Sequence, residues 1–175
     1  RALPSFPTRR SADLEGLAAN RLSPVDKGPG GGRIGIGEVP RRIMGKTVSW
    51  ALKEDIRDAA GGLQMCAGVP AGAEAGVHAV REAWDEDSTE GVLLIDAENA
   101  FNRLVRRAML RAIQFRCPRL ARYAINTYRV SVRLFVGSTE IQSDEGPTQG
   151  DPLGPHTYAT GLWPLLACPS AHAPP

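Results

Sequence analysis

Apolar and polar positions along the chain follow two periods, and the longer of them predicts helices. Residues 39–60 carry apolar side chains at a spacing close to one helical face and end at Gly61-Gly62, a common helix stop. Pro40 fits the first turn of such a helix. The same period predicts further helices at about Ala73–Trp84, Leu104–Phe115, Leu120–Tyr128 and Pro155–Ala167.

The shorter period and one continuous apolar run predict strands. Val92–Ile95 is expected to form a short strand buried on both faces, because an apolar run with β-branched ends suits a covered sheet. Ser131–Val136 alternates in polarity, and Thr139–Gln142 can pair with it across Gly137-Ser138, which predicts a β-hairpin. The glycine-rich stretch Ser23–Gly37 predicts a second, flexible hairpin. Together these elements predict an α+β fold.

The two ends of the chain differ from the rest. Ser5–Leu14 resembles a translated sequencing-adapter remnant, and a disordered basic arm is the alternative. No packed structure is expected in residues 1–22, and residues 168–175 are expected to fray. The part of the chain that is expected to be organised therefore spans residues 23–167.

The composition is compatible with many classes of protein, and the distribution of charge is more informative. The chain has 175 residues, 42% hydrophobic and 23% charged, which is enough for a core and ordinary for a globular protein. The net charge is only +2, yet nine arginines and no acid lie between Arg103 and Thr139, and four acids lie in Asp85–Glu90. The basic side of the first predicted helix consists of Arg41, Arg42 and Lys46. Such surfaces can contact a phosphate backbone, although they are more often solvated helix faces.

Cysteine usage and hydropathy indicate a protein of the cell interior. Cys66, Cys117 and Cys168 are isolated and lack Cys-x-x-Cys spacing, which argues for reduced thiols and against disulfides or a zinc site. No stretch approaches the roughly 18 apolar residues of a membrane helix. A soluble protein of the cytoplasm or nucleus, without a membrane partner, is therefore expected.

Asp96 follows the predicted strand directly, and its position admits two interpretations. A carboxylate at the exit of a buried strand would be held at the edge of a sheet, where a metal-dependent active site places one. Asp is also a favoured N-cap residue, and Asn99 or Asn102 could serve the same purpose. This stretch alone does not separate the two. A second stretch, Glu145–Pro155, combines a Gly/Pro-rich turn with the polar Gln149 and leads into an apolar segment.

Taken together, Asp96–Asn102 and Pro147–Leu153 resemble the A and B motifs of reverse transcriptases of retrotransposon-type elements. The two motifs come in that order, with a helical region and a hairpin between them. The resemblance covers about Val25 to Ala167. It implies a mainly helical fingers part in residues 23–90. For residues 91–167 it implies a partial, ferredoxin-like polymerase palm, an antiparallel sheet with helices on one face.

The resemblance also implies roles for individual residues. The family transfers a nucleotide from a dNTP to a primer 3′-OH on an RNA or DNA template, using two Mg²⁺ ions about 3.5–4 Å apart. Asp96 would bridge the metals, and the backbone carbonyl of Ala97 would add an oxygen ligand. Phe101 would be the steric gate that rejects a 2′-hydroxyl. Gln149 and Gly150 would contact the incoming nucleotide and the template, with the glycine allowing close approach of the backbone.

The glycine-rich hairpin resembles the fingers that close over a triphosphate in this family. Lys27 and Arg33 flank its glycines. Arg33 would neutralise triphosphate charge, and Lys27 would assist.

One departure from the family pattern is large. Reverse transcriptases carry an Asp-Asp pair after motif B, whereas this chain has no Asp-Asp and no acid after Asp151. The sequence therefore predicts a fragment of a reverse transcriptase that binds metal poorly and does not polymerise alone. The alternative is a non-catalytic nucleic-acid-binding module, which would have no use for Asp96, Phe101 and Gln149 at polymerase spacing. A polymerase that makes RNA is a third option, against which Phe101 as a sugar gate argues.

Overall fold

A computed structural model of the chain describes residues 18–25, 32–62 and 64–167, with the exception of positions 66, 87 and 89. This part of the chain is α+β, with a four-stranded mixed sheet and seven helices. The strands are β1 (Asn20–Val25), β2 (Gly32–Gly37), β3 (Val132–Val136) and β4 (Thr139–Ser143). The helices are α1 (Val39–Ala51), α2 (Lys53–Ala60), α3 (Gly72–Trp84), α4 (Ala100–Arg103), α5 (Arg106–Arg116), α6 (Pro118–Tyr128) and α7 (Gly154–Leu166).

Two hairpins that are distant in sequence form the sheet. Its strand order is β2-β1-β3-β4, and the pairs β1–β2 and β3–β4 are antiparallel. Both predicted hairpins are therefore confirmed, and Gly137 has the positive φ of 59° that favours a two-residue hairpin loop. The hairpins join through a parallel pairing of β1 with β3, so the prediction of an antiparallel sheet is wrong.

The predicted helices are confirmed with small changes of boundary. Residues 39–60 form two helices because Leu52 departs from helical geometry, with φ −111° and ψ 19°. Pro118 occupies the first turn of α6, where its missing N–H leaves no intrahelical bond unmade. Helix α7 continues past Pro164 to its end at Leu166.

The core lies where α2, α5, α6 and α7 meet. Five of its large side chains have no exposed surface, namely Ile56, Met109, Ile113, Leu120 and Leu153. Burial of each such side chain stabilises the fold by about 1.5–3 kcal/mol. Tyr128 and Val132, each 1% exposed, extend this core from α6 to the sheet.

The prediction of a buried strand at Val92–Ile95 is wrong. Residues 90–97 belong to no helix or strand, and Leu93, Leu94 and Ile95 are each 83% exposed. A strand needs a neighbour for its backbone N–H and C=O groups. None of the four strands in the described part of the chain pairs with this segment. Asp96 consequently lies on an exposed segment instead of at the edge of a sheet.

The chain is ordered earlier than its sequence predicts. Strand β1 begins at Asn20, which is 3% exposed and pairs with Gly37 and Leu134. The expectation of no packed structure before residue 23 is therefore wrong for residues 20–22. Residues 1–17 and the predicted frayed tail 168–175 lie outside the described residues.

The described helices are also informative about membranes. None of them combines the length and the apolar character that crossing a bilayer requires.

Candidate functional site

The loop that contains Gln149, residues 144–153, is held by the buried carboxylate of Asp151. We call this segment the Gln149 loop. Asp151 Oδ2 accepts hydrogen bonds from Arg41 Nη2 at 2.5 Å and from the Tyr128 hydroxyl at 2.7 Å. Its Oδ1 accepts from the backbone N–H of Leu153 at 2.9 Å. Because buried charge is tolerated only when it is paired and hydrogen-bonded, this arrangement fixes the loop to helices α1 and α6.

Arg41 is a structural residue and does not belong to an exposed basic side of α1. It is 5% exposed, and its Nη1 donates to the carbonyl of Ala18 at 2.7 Å while Nη2 pairs with Asp151. Burial opposes its positive charge, but Asp151 and two nearby tyrosines outweigh burial and raise the pKa of Arg41. Arg41 therefore joins α1, the Gln149 loop and the backbone that precedes β1.

Tyr128 lies between two guanidinium groups. Its ring centre is 5.9 Å from the Arg41 guanidinium carbon and 5.5 Å from that of Arg106, both within cation–π range. Its hydroxyl donates to Asp151 and accepts from the backbone N–H of Thr148 at 3.3 Å. Burial, followed by the charge of Asp151, raises the pKa of Tyr128, so the hydroxyl stays neutral and keeps donating.

Arg106 fixes the other end of the Gln149 loop. It is 6% exposed and donates to the backbone carbonyls of Ser143 at 2.7 Å and of Glu145 and Gly146 at 3.0 Å. Its own backbone N–H donates to Glu145 Oε2 at 2.6 Å. Burial lowers the pKa of Arg106. Nothing in the sequence separates Arg106 from the other eight arginines of its basic stretch, so the sequence does not predict this role.

Gln149 and Gly150 pack against β2. The carbonyl of Gln149 accepts the N–H of Gly35 at 2.6 Å. Gly150 has φ +103°, and a Cβ at that position would collide with the Gly35 carbonyl oxygen and lie 2.8 Å from Ile34 Cγ2. The glycine is therefore required for close approach of two backbone segments. Its predicted contact with a nucleotide or template stays a prediction.

The segment that contains Phe101 packs on the other side of the Gln149 loop. The Phe101 ring stacks on Tyr158 of α7, with ring centroids 4.8 Å apart and 13° between the ring planes. A Cβ on Gly146 would collide with the Phe101 carbonyl, so only glycine allows this contact. Phe101 remains partly exposed, and its predicted role as a sugar gate is untested by these contacts.

Asp96 and Ala97 are exposed and precede α4 by a turn. The residue at the N-cap position of α4 is Asn99, with φ 50°, and no side chain caps the helix. The interpretation of Asp96 as an N-cap is therefore wrong. Asn99 instead accepts a hydrogen bond from the Asn102 side chain at 2.6 Å.

A groove of about 340 Å³ lies between the Gln149 loop, the α4 turn and the sheet. Amide and hydroxyl side chains that can both donate and accept hydrogen bonds dominate its polar lining. The lining includes Leu22, Gly35, Asn99, Asn102, Gln142, Thr148 and Gln149. Asp144 and Glu145 also line it, so the groove has a negative side.

Of the two residues predicted to bind a triphosphate, one lies among the described residues. Arg33 lies in β2, opposite Pro24 in the hairpin register. Lys27 lies outside the described residues.

The described residues do not complete a magnesium site. In residues 18–167, apart from the undescribed positions, no three His, Cys, Asp or Glu side chains cluster where they could hold a metal ion. Asp96 stands as a single exposed carboxylate, so no catalytic step through a metal is derived from these residues.

Comparison with known proteins adds no family. No protein-family model matches the chain, and no curated protein matches it at a significant level. The functional assignment therefore depends on the two motifs and on the groove between them.

Proposed function

We propose that the chain is a fragment of a retroelement reverse transcriptase. The longer parent would transfer a nucleotide from a dNTP to a primer 3′-OH on a template. The main support is that Phe101 and Gln149, which are 48 positions apart in sequence, belong to segments that pack directly against each other. The glycine-rich hairpin contacts the same loop through the Gly35–Gln149 hydrogen bond. Templated nucleotidyl transfer needs sugar selection and nucleotide positioning at one place, and these segments border one groove.

The groove is suited to a nucleotide by its chemistry. Side-chain amides of Asn99, Asn102 and Gln149 line it, and amides can pair with sugar hydroxyls and base edges. Phe101 is immobilised by its stack on Tyr158, which is what a steric gate requires, since a mobile ring would not exclude a 2′-hydroxyl. Asp96 and the backbone carbonyl of Ala97 would supply oxygen ligands for magnesium, and the Asp-Asp pair of the longer parent would complete the site.

The test uses the longest reading frame at the locus that contains this chain. The expected product carries an aromatic-x-Asp-Asp segment and extends a DNA primer on an RNA template in the presence of Mg²⁺. Asp96→Asn should abolish extension and leave template–primer binding unchanged. Asp58→Asn, an exposed carboxylate on α2, is the matched control. Extension that survives Asp96→Asn, or a product with the Asp-Asp segment and no extension, would overturn the proposal.

The second candidate is a non-catalytic nucleic-acid-binding module. Exposed cations on α1 and at the start of α2 favour it, because they offer a phosphate-binding surface without any catalytic group. Binding of RNA that gains nothing from Mg²⁺ and is indifferent to Asp96→Asn, in a product without polymerase activity, would favour this candidate.

A further inference from the structure

One face of α1 continues onto the first residue of α2 as a row of exposed basic and aromatic side chains. Arg42, Lys46 and Trp50 recur every four residues, so they lie on one side of α1. Lys53, the first residue of α2, lines the same cavity as Lys46 and Trp50. Trp50 is 82% exposed. We call this row the Trp50 face.

The cations of the Trp50 face are not neutralised by neighbours. Among the described residues, neither Arg42, Lys46 nor Lys53 forms an ion pair. The acids next to Lys53 are already engaged, Glu54 with Arg57 at 2.6 Å and Asp55 with Arg119 at 2.9 Å. Glu38, four residues before Arg42, forms no ion pair with a described residue. The face therefore carries uncompensated positive charge around an exposed indole.

A cavity of about 520 Å³ adjoins this face. Lys46, Trp50 and Lys53 form one side, and Pro70, Pro152 and His156 form the other. Its volume lies within the ~300–1,000 Å³ typical of ligand pockets, enough for one nucleotide unit.

His156 is one of the polar side chains that line this cavity. Its Nε2 pairs with Ser49 Oγ at 2.8 Å, whereas its Nδ1 is buried and has no hydrogen-bond partner among the described residues. Burial lowers the pKa of His156, so the ring is neutral at neutral pH. His156 therefore lines the cavity as a neutral side chain and adds no charge to it.

We propose that the Trp50 face binds a single-stranded nucleic acid, with an unpaired base stacked on Trp50 and its flanking phosphates on Lys46 and Lys53. A basic surface with an aromatic platform is the arrangement that holds single strands without reading their sequence. A duplex could use the lysines but would leave the indole unused, because its bases are already stacked. This site uses the same exposed cations of α1 and α2 that support the second candidate function, so it rests on that candidate and adds to it a base stacked on Trp50. The polymerase proposal does not require the site.

The test measures binding of a fluorescein-labelled oligouridylate of about twelve nucleotides to the whole chain by anisotropy. Trp50→Ala should weaken binding about 5- to 150-fold, as expected for the loss of one stacked base. Trp84→Ala, which removes a 56% exposed tryptophan from α3, is the matched control and should leave affinity unchanged. Tryptophan fluorescence should be quenched on binding, and this quenching should disappear in Trp50→Phe.

Salt dependence tests the lysines separately. Lys46→Gln and Lys53→Gln should each reduce the slope of log affinity against log salt by about 0.7, the value for one phosphate contact on a single strand. Arg81→Gln on α3 should leave the slope unchanged. Circular dichroism checks folding, and Trp50→Leu, which keeps an apolar side chain without the flat ring, replaces Trp50→Ala if the latter unfolds.

Several outcomes would overturn this site. They are equal affinity of the Trp50 and Trp84 variants, preference for duplex over single strand, or equal binding of polyphosphate, which has charge but no bases. Quenching of Trp50 by an acidic peptide but not by the oligonucleotide would assign the face to a protein partner instead. None of these outcomes affects primer extension by the longer product, so failure here and failure of the polymerase proposal are distinguishable.

Discussion

The two motif segments differ sharply in how the fold holds them. In the Gln149 loop, Thr148 is 3% and Asp151 is 5% exposed, and Arg41 and Arg106 fix the loop from two sides. In the segment before α4, residues 90–99 are exposed throughout. The two motifs, which the sequence shows equally clearly, are thus buried to opposite degrees. The difference teaches that a motif acquires its conformation from the elements that surround it.

The two carboxylates of these segments illustrate the same contrast. Asp151 has three hydrogen-bond donors and serves the fold, whereas Asp96 is exposed and available to a ligand. A carboxylate that stabilises and a carboxylate that reacts need different surroundings, because full pairing within the protein leaves no oxygen for a metal or substrate.

The largest expected effect comes from removing the buried carboxylate. Asp151→Ala leaves the Arg41 charge buried without its partner and should lower the free energy of unfolding by about 3–5 kcal/mol. Asp96→Ala should change it by less than about 0.5 kcal/mol, because its side chain is exposed. Urea denaturation of both variants measures the difference. Equal effects would refute the contrast between the two segments.

The next largest effect concerns Arg106. Arg106→Gln removes charge-assisted hydrogen bonds to three backbone carbonyls and should destabilise the chain by at least about 2 kcal/mol. The matched control is Arg107→Gln, an exposed neighbour on the same helix, with an expected change below about 0.5 kcal/mol. If both substitutions are neutral in thermal and urea unfolding, Arg106 does not hold the Gln149 loop.

The third largest effect on stability is expected at Gly150 in the Gln149 loop. Gly150→Ala forces a side chain into the left-handed region and against the Gly35 carbonyl, with a cost of about 1–3 kcal/mol. Gly62→Ala is the control, because a Cβ there meets nothing within 4 Å. A stable Gly150→Ala variant with an unchanged unfolding midpoint would show that the loop can withdraw from β2.

The stability of the loop should also depend on alkaline pH. The pKa of Tyr128 in the folded chain is raised above its ordinary value of 10.0. Its contribution to the free energy of unfolding is therefore complete below pH 10.0 and is lost as the pH rises toward the folded pKa. The free energy of unfolding should fall by about 1.4 kcal/mol per pH unit above about pH 10 for this residue. Tyr128→Phe should be less stable at neutral pH and should show a shallower alkaline decline. The pKa of Tyr123 is also raised by burial, so part of the decline should remain.

The smallest effect is expected in the exposed segment. Leu94→Ser should change the free energy of unfolding by less than about 0.5 kcal/mol, because Leu94 is 83% exposed and contributes no buried area. Leu153→Ser, at a fully buried leucine, is the contrast and should destabilise strongly. A large loss of stability in Leu94→Ser would mean that the segment packs in solution.

Local sequence signals were sufficient for most of the helices and for both hairpins. The apolar spacing of residues 39–60 and the turn at Gly137-Ser138 encode structure within a few residues, so no distant partner is needed to interpret them. Local signals were not sufficient at Val92–Ile95, because a strand there requires neighbouring strands that the described residues do not provide. A strand is stabilised by hydrogen bonds to other strands, so its sequence alone cannot guarantee it.

The sequence by itself determined the α+β class, the positions of the glycines and the two motifs. Only the tertiary structure decided which charges serve the fold. Arg41 and Arg42 are adjacent on one helix, yet one is buried against Asp151 and the other is exposed, and Arg106 and Arg107 divide in the same way. Neighbours in sequence point in different directions around a helix, and the partners of Arg41 and Arg106 lie 23 to 110 positions away, a distance at which local patterns carry no information.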